Sequence, residues 1–295
     1  MTKKSIAKFC ALATTLAVIP SASFAGTESG GKEARNIVEV AKEPCITGDL
    51  GVNFVSEYVS RGLVFERKGV LMQPYADLYF KLHSGDGFIN QVSFNLGLWS
   101  SIHSYLQPIP GNSKIRSWYE LDYTAGIAVT FAKNFSGTLS YFEFMSPSNS
   151  FNTSRNINFN LAYDDTDLLG KFGKFALHPH LAVLRELEGS AGLQANGWYF
   201  EVGIAPSLSP CKGITFTVPI TAGFGDDNFY AGDTFGYVSA GINAAVPLSF
   251  VPSGYGAWTL NAGYTYIHQG DNAAAAAGTG DDHRQVFHGG VALTF

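Results

Sequence analysis

From Trp118 to Phe131 the odd positions Tyr119, Leu121, Tyr123, Ala125, Ile127, Val129 and Phe131 are all apolar. The even positions Trp118, Glu120, Asp122, Thr124, Gly126, Ala128 and Thr130 are mostly polar or small. A period of two describes an extended strand with one greasy and one wet face. Strands of soluble sandwiches typically turn after about 5 or 6 residues, whereas this alternation persists through fourteen. At ~3.3 Å per residue and a ~40° tilt, eleven such residues rise roughly 28 Å, the thickness of a bilayer's hydrocarbon core. The stretch therefore reads as a transmembrane β-strand.

No window beyond the first 25 residues holds eighteen consecutive apolar residues, so spanning helices are excluded. Charged residues make up 15% of the chain, well under the roughly 25% of ordinary soluble domains. A chain that crosses lipid without helices must close its sheet, because every backbone N–H and C=O needs a partner there. The expected fold class is all-β: a transmembrane antiparallel up-and-down β-barrel.

Residues 1–25 carry Lys3, Lys4 and Lys8, an apolar run from Ala11 to Ile19, and small residues before Ala25. This is the pattern of a secretory signal peptide cleaved after Ala25. Cys10 lies inside the apolar run rather than at the cleavage point. Removing the leader takes three of the 19 basic residues, leaving 16 against 24 acids, so the net charge moves from -5 to -8. That sign disfavours a nucleic-acid partner. Residues 26–46 read as a periplasmic tail and 47–295 as the barrel, in the outer membrane of a Gram-negative bacterium.

Alternation and turn residues delimit twelve strands: Asp49 to Phe65, Val70 to His83, Phe88 to Ile102, Ser117 to Ala132, Phe135 to Met145, Asn156 to Asp164, Ala176 to Leu187, Gly197 to Leu208, Ile214 to Phe224, Gly236 to Phe250, Ala257 to His268 and Gln285 to Phe295. Twelve is even, as single-chain bacterial barrels require. Links after even-numbered strands are tight, Thr166 to Phe175 excepted, and those after odd-numbered strands are long, with the first, Glu66 to Gly69, a short exception. Short turns face the periplasm and long loops the exterior.

Pro219 falls in the middle of the ninth strand, and a closed barrel has no edge to hide a missing N–H. A bulge or local break is expected there. Pro74, Pro179, Pro206 and Pro247 fall near expected strand ends. The chain stops on Phe295, with Phe287, Val291 and Leu293 on the same face. This ending is similar to the signal by which the barrel assembly machinery takes up outer-membrane barrels.

Parity assigns the lumen. In the second strand Met72, Ala76, Leu78, Phe80 and Leu82 take the lipid face, leaving Gln73, Tyr75, Asp77, Tyr79 and Lys81 inside. Glu120, Asp122, Tyr199 and Glu201 join them. The expected pore-lining set is Gln73, Tyr75, Asp77, Tyr79, Lys81, Glu120, Asp122 and Glu201. Twelve strands about 4.8 Å apart at a ~40° tilt give a backbone diameter of roughly 24 Å, enough for a narrow aqueous path. Acids outnumber bases inside, so cations or neutral solutes are favoured. The opposing expectation is that these groups pair, Lys81 with Asp77 or Glu120, and close the barrel. Tyr58, Phe80, Phe131, Tyr141, Trp198, Trp258, Tyr264 and Tyr266 are expected in interfacial girdles, and inward rings such as Tyr75, Tyr79 and Trp99 could stack on sugars.

Signals for catalysis or a cofactor are thin, and none is expected. A lipid-modifying barrel enzyme needs a nucleophile beside a histidine on the lipid face, and the only outward histidine expected is His268. His178 and His180 share an inward face but lack a third metal ligand at a useful spacing. The acidic clusters Asp226-Asp227 with Asp233, and Asp281-Asp282, lack calcium-loop spacing; they read as solvated, or bridged to lipopolysaccharide phosphates by divalent cations. Cys45 and Cys211 both fall on the periplasmic side, but nearly opposite each other around the ring. A disulfide between them requires the tail to cross beneath the barrel.

Ser56-Glu57-Tyr58-Val59-Ser60-Arg61-Gly62, then Gln73, Gly97-Leu98-Trp99-Ser100-Ser101-Ile102 and Glu120-Leu121-Asp122-Tyr123, resemble the opening third of the TorF-family putative porins. The resemblance covers roughly Gly48 to Ile127 and departs in the segment after Gly62. It implies an outer-membrane location and a pore. The expected function is passive diffusion of small hydrophilic solutes, with outer-membrane lipids and lipopolysaccharide as surroundings; the alternative is a non-conducting barrel with a structural or surface-binding role.

Overall fold

The computed structural model describes residues 45–105, 116–169, 175–211, 213–278 and 280–295. The expected leader and nearly all of the expected tail lie outside the described residues. The chain forms a closed antiparallel barrel of twelve staves. Nine staves are single strands: β1 (Ile46–Val55), β4 (Leu71–Ser84), β5 (Ile89–His103), β6 (Trp118–Phe131), β7 (Phe135–Met145), β8 (Ser154–Tyr163), β15 (Phe235–Pro247), β16 (Ala257–Gln269) and β17 (His283–Thr294). Three are split in two: β9 (Phe175–Ala176) with β10 (His180–Glu188), β11 (Trp198–Ile204) with β12 (Ser207–Cys211), and β13 (Ile214–Thr217) with β14 (Ile220–Gly225). Each stave pairs with its neighbours in sequence, and β1 pairs with β17 from Asp49↔Thr294 to Val55↔His288, which closes the ring.

The three splits fall at Pro179, Pro206 and Pro219. The break expected at Pro219 is present, and it is a gap rather than a slip: Thr217 faces Asn243 before it and Ile220 faces Ala240 after it, in unchanged register. Gly241 N–H donates to the Pro219 carbonyl at 2.9 Å, and proline has no N–H to return the bond. Pro206 and Pro179 are in the same situation, accepting from Val218 at 2.8 Å and Tyr163 at 3.0 Å. Both were expected at strand ends; instead they interrupt staves, because the strands continue past them to β12 and back to β9.

The wall is built inside out. Exposed apolar side chains ring it on successive staves, among them Leu50, Leu98, Ile127, Leu139, Phe159, Val202, Ile242 and Leu260. Buried polar residues hold the other face, including Asp49, Gln73, Ser93, Asn95, Ser140, Asn158 and Asn243. A surface of that kind is stable only against lipid. Aromatic rings mark its lower edge: Phe88, Phe131, Phe135 and Tyr163 follow one another at centroid spacings of 5.8, 5.6 and 4.7 Å.

One expected strand is wrong in an informative way. The first does not run from Asp49 to Phe65: it stops at Val55, and the next residues form a separate hairpin, β2 (Tyr58–Ser60) with β3 (Leu63–Glu66). The hairpin pairs with itself and not with the wall, and it folds into the barrel mouth. The first external link is therefore Ser56 to Val70, so the apparent short exception among the outer loops disappears. Around the hairpin, Val59, Leu63, Leu184, Tyr199, Phe229, Tyr230, Tyr237, Ile267 and Val286 form a buried apolar cluster at the mouth. Glu186 anchors the neighbouring loop by accepting from the N–H groups of Ala191, Gly192 and Gly197 at 2.6, 2.8 and 2.6 Å.

Cys45 is exposed and its thiol is free, so the disulfide considered from sequence is not formed. The side chain of Cys211 lies outside the described residues.

Candidate functional site

The hairpin turns at Arg61 (φ 49°) and Gly62 (φ 76°), between the paired Ser60 and Leu63. Two left-handed residues make the tight turn that suits twisted antiparallel strands. Gly62 is required twice over, since its φ disfavours a side chain and a Cβ would sit 2.9 Å from Tyr237. Arg61 has no such freedom, so its backbone strain is carried by the surroundings.

Those surroundings come from distant staves. Tyr230 O–H donates to the Arg61 carbonyl at 2.8 Å, and Gln269 Nε2–H donates to the Gly62 carbonyl at 2.5 Å. Gln269 is itself oriented by Arg284 Nε–H, 2.7 Å from its Oε1. The Arg61 guanidinium lies 5.2 Å from the Phe144 ring centroid and 5.9 Å from that of Tyr199, close enough to Glu120 and Asp122 to interact with both. Tyr58 O–H donates to Glu120 Oε2 at 2.7 Å. Burial first, then the Glu120 and Asp122 charges, push the Tyr58 phenol well above its usual range, so it stays a donor at neutral pH. Across the lumen the Tyr199 and Tyr237 hydroxyls both donate to Glu201 Oε2, the latter at 2.9 Å, and lie 3.0 Å apart. The geometry places the buried Arg61 guanidinium beside the acids Glu120 and Asp122.

The eight residues assigned to the lumen by parity occupy the inner face. Gln73 faces Asn53 and Asp77 faces Asp49, with Tyr75 opposite Gly51 and Trp99, and Tyr79 opposite Thr47 and Asn95. Lys81 faces Ser93, Glu120 faces Ser101, Asp122 faces Trp99, and Glu201 lies between Ala182 and Gly223. Tyr79 O–H reaches Asp49 Oδ2 at 3.0 Å. The structure brings Glu120 and Asp122 together with Arg61, a partner not considered from sequence. Trp99 is buried and packs 5.5 Å from Tyr58.

Two aromatic assignments are corrected. Tyr58 is not in a girdle; it is fully buried in the mouth, because the chain turns inward after Val55. Tyr119 leaves the lipid face at an irregularity opposite Ser101 and Ile102 and stacks on His103 at 4.6 Å. Trp198, Tyr141 and Tyr266 do face outward.

Parity missed several inner groups. Asn53, Asn156, Asn158, Asn160, Asn243, Asn261, Thr265 and His288, on five staves, each carry a buried side-chain nitrogen or oxygen without a protein partner. Buried polar atoms of this kind call for water as their partner. The repeat Asn156-Ile157-Asn158-Phe159-Asn160 was the available signal. Arg61 had a signal too, in the Arg61-Gly62 pair.

His178 and His180 do not converge. His178 lies 3.8 Å from Asp164 and His180 3.9 Å from Glu201. Asp164 and Asp165 give His178 the neighbours that sequence spacing did not show, but Asp165 is engaged in accepting the Leu177 and His178 N–H groups. Asp226 likewise caps a turn, accepting from Asn228 and Phe229. Outside the wall, His268 is not alone: His283 faces it directly across the β16–β17 pair.

Closed staves, an apolar exterior and a polar interior define a membrane-spanning antiparallel β-barrel. No protein-family model and no curated protein matches the sequence. Among solved structures the chain is similar to the NanC porin, with 10% identity over 83% of this chain and 98% of that one and a TM-score of 0.44. An outer-membrane channel of Pseudomonas putida shares 10% identity over 88% and 100%, at a TM-score of 0.47. The translocator domain of the Neisseria meningitidis autotransporter NalP shares 12% over 86% and 89%, at 0.41. What those proteins carry or bind stays with them.

Proposed function

We propose that this protein is an outer-membrane channel for small hydrophilic solutes, leaning toward cations, whose passage is set by the Arg61 hairpin. The observation that carries the reading is the division of the lumen. The inner wall carries buried polar atoms that call for water, whereas at the mouth the self-paired hairpin packs in a dry cluster with residues of the outer loops. A purely structural barrel has no need of asparagines with unpartnered buried atoms on four staves, since buried polar groups without partners cost stability. Acidic groups, Asp49, Asp77, Glu120, Asp122 and Glu201, supply the cation preference.

The resemblance to the TorF-family porins agrees with this reading, and its Ser56-to-Gly62 segment includes the first strand and the turn of the hairpin. Lipopolysaccharide and outer-membrane lipids are the surroundings proposed for the apolar band, and Phe295 the contact for the barrel assembly machinery. No enzymatic step is part of the proposal. Among the described residues, Ser101 contacts His103 at 2.8 Å and Ser207 contacts His178 at 3.0 Å, and both serines lie on the inner face, away from lipid.

The second reading, a non-conducting barrel, draws on the dryness of the mouth cluster. Planar-bilayer recording of the refolded protein separates them. Discrete conductance steps with a cation-side reversal potential in asymmetric salt are expected; background current from both the native chain and Gly62→Ala would establish the non-conducting barrel.

A further inference from the structure

His268, Asp282 and His283 meet on the outside of the barrel at its extracellular rim, apart from the lumen. His268 and His283 are directly opposite in the β16–β17 register, and their rings lie 5.1 Å apart. Asp282 stands between them, with one carboxylate oxygen 3.4 Å from His268 Nδ1 and the other 3.3 Å from His283 Nε2. All three donor atoms fall within 4.8 Å of one another.

These separations are long for hydrogen bonds, and they suit a shared ion. Ligands about 2.0–2.1 Å from a tetrahedral zinc lie roughly 3.3 Å from each other. Two further observations point the same way. His268 Nδ1 is shielded from solvent and makes no hydrogen bond. The other nitrogen of His283, Nδ1, lies 2.6 Å from the Tyr266 hydroxyl, the kind of outer contact that fixes the tautomer of a metal-binding imidazole and leaves Nε2 as the ligand. Rigid elements carry the group: the Asp282 carbonyl accepts Gln269 N–H at 2.8 Å, extending the β16–β17 ladder by one step.

We propose that His268 Nδ1, His283 Nε2 and an Asp282 carboxylate oxygen form a binding site for a divalent transition ion of the zinc class. Two imidazoles and one carboxylate select zinc, copper or nickel over calcium or magnesium, which prefer all-oxygen shells. Three protein ligands leave a fourth position for water or an external anion. The ion ties the outer ends of β16 and β17 together at the base of the loop that holds the short helix Asp271–Ala276.

The test is titration of the untagged, refolded full chain with zinc chloride alone, followed by calorimetry and by X-ray absorption at the zinc edge. One ion per chain is expected, with a shell of two imidazole nitrogens plus oxygen, and binding that weakens as pH falls through the imidazole range. His268→Ala and His283→Ala should each reduce affinity at least tenfold, while His178→Ala leaves it unchanged. Heat-modifiable gel migration verifies folding, and the absorption spectrum of the native chain decides the matter even if a variant does not fold. An all-oxygen shell, no saturable binding, or binding abolished by His178→Ala and indifferent to the other two overturns the site.

Discussion

Tyr230 donates its phenolic hydrogen to the main-chain oxygen of Arg61 at 2.8 Å, joining residues 169 positions apart. Burial raises the Tyr230 phenol well above its ordinary range, so this donor is not lost by ionisation. Tyr230→Phe removes one buried hydrogen bond and keeps the ring packing, a loss of about 1 kcal/mol. Closed dwell times in single-channel records should shorten roughly fivefold, since 1.4 kcal/mol is a factor of ten. Unchanged gating would mean that the hairpin is held by packing alone.

Gly62→Ala places a Cβ where φ is 76° and Tyr237 is 2.9 Å away. Left-handed backbone alone costs about 1–2 kcal/mol for a residue with a side chain, and the contact adds to it. The barrel should still fold, because the hairpin pairs only with itself, while the conducting fraction rises at least tenfold. Equal conductance in the two proteins would separate the hairpin from the passage.

Glu120 and Glu201 stand on opposite sides of the hairpin, each accepting from buried tyrosines. Replacing both by Gln leaves Arg61 opposed by Asp122 alone at the narrow point. Reversal potentials measured in asymmetric potassium chloride should move from the cation side toward the anion side. No movement would show that ions pass elsewhere.

Glu57, in the link that leads into the hairpin, has its carboxyl raised above its ordinary 4.5 by burial, with Arg284 and Arg67 opposing. A carboxyl whose pKa is higher in the docked loop is protonated more readily there, so acid favours docking and the penalty of burying the charge is felt above that pKa. Conductance should fall as pH drops from 7.5 toward 5, and Glu57→Gln should flatten the dependence. A rise in conductance on acidification contradicts this sign.

Leu139 is 57% exposed in the middle of β7, opposite Ile127 and Phe159. An arginine there faces hydrocarbon, which costs about 2–4 kcal/mol at the midplane of a barrel. Urea unfolding from lipid vesicles should register Leu139→Arg as a large loss and Ser136→Arg, at the inner rim, as a smaller one. Similar losses at both positions would contradict the outward apolar band.

Period-two alternation, without any contact information, was enough to identify Trp118–Phe131 as a spanning strand, count twelve staves and set the lipid face, and the missing N–H of a mid-strand proline located the break at Pro219. It worked because lipid imposes one rule at every second residue of every stave. From Val55 into Tyr58 and Val59 no proline or glycine interrupts the chain before Gly62, and there the reading misled: alternation records which faces are dry, not whether a strand pairs with the wall or folds back on itself. That choice belongs to the Arg61-Gly62 turn together with Glu120, Tyr199, Tyr230 and Gln269, which reach the mouth from four separate parts of the chain. The outer cluster is alike in this respect, since Asp282 and His283 are neighbours in sequence but His268 joins them only through the β16–β17 register. Sequence determined what a side chain must face, because the solvent on each side is fixed; which distant group meets it depended on closing the ring, because only closure sets the register between staves.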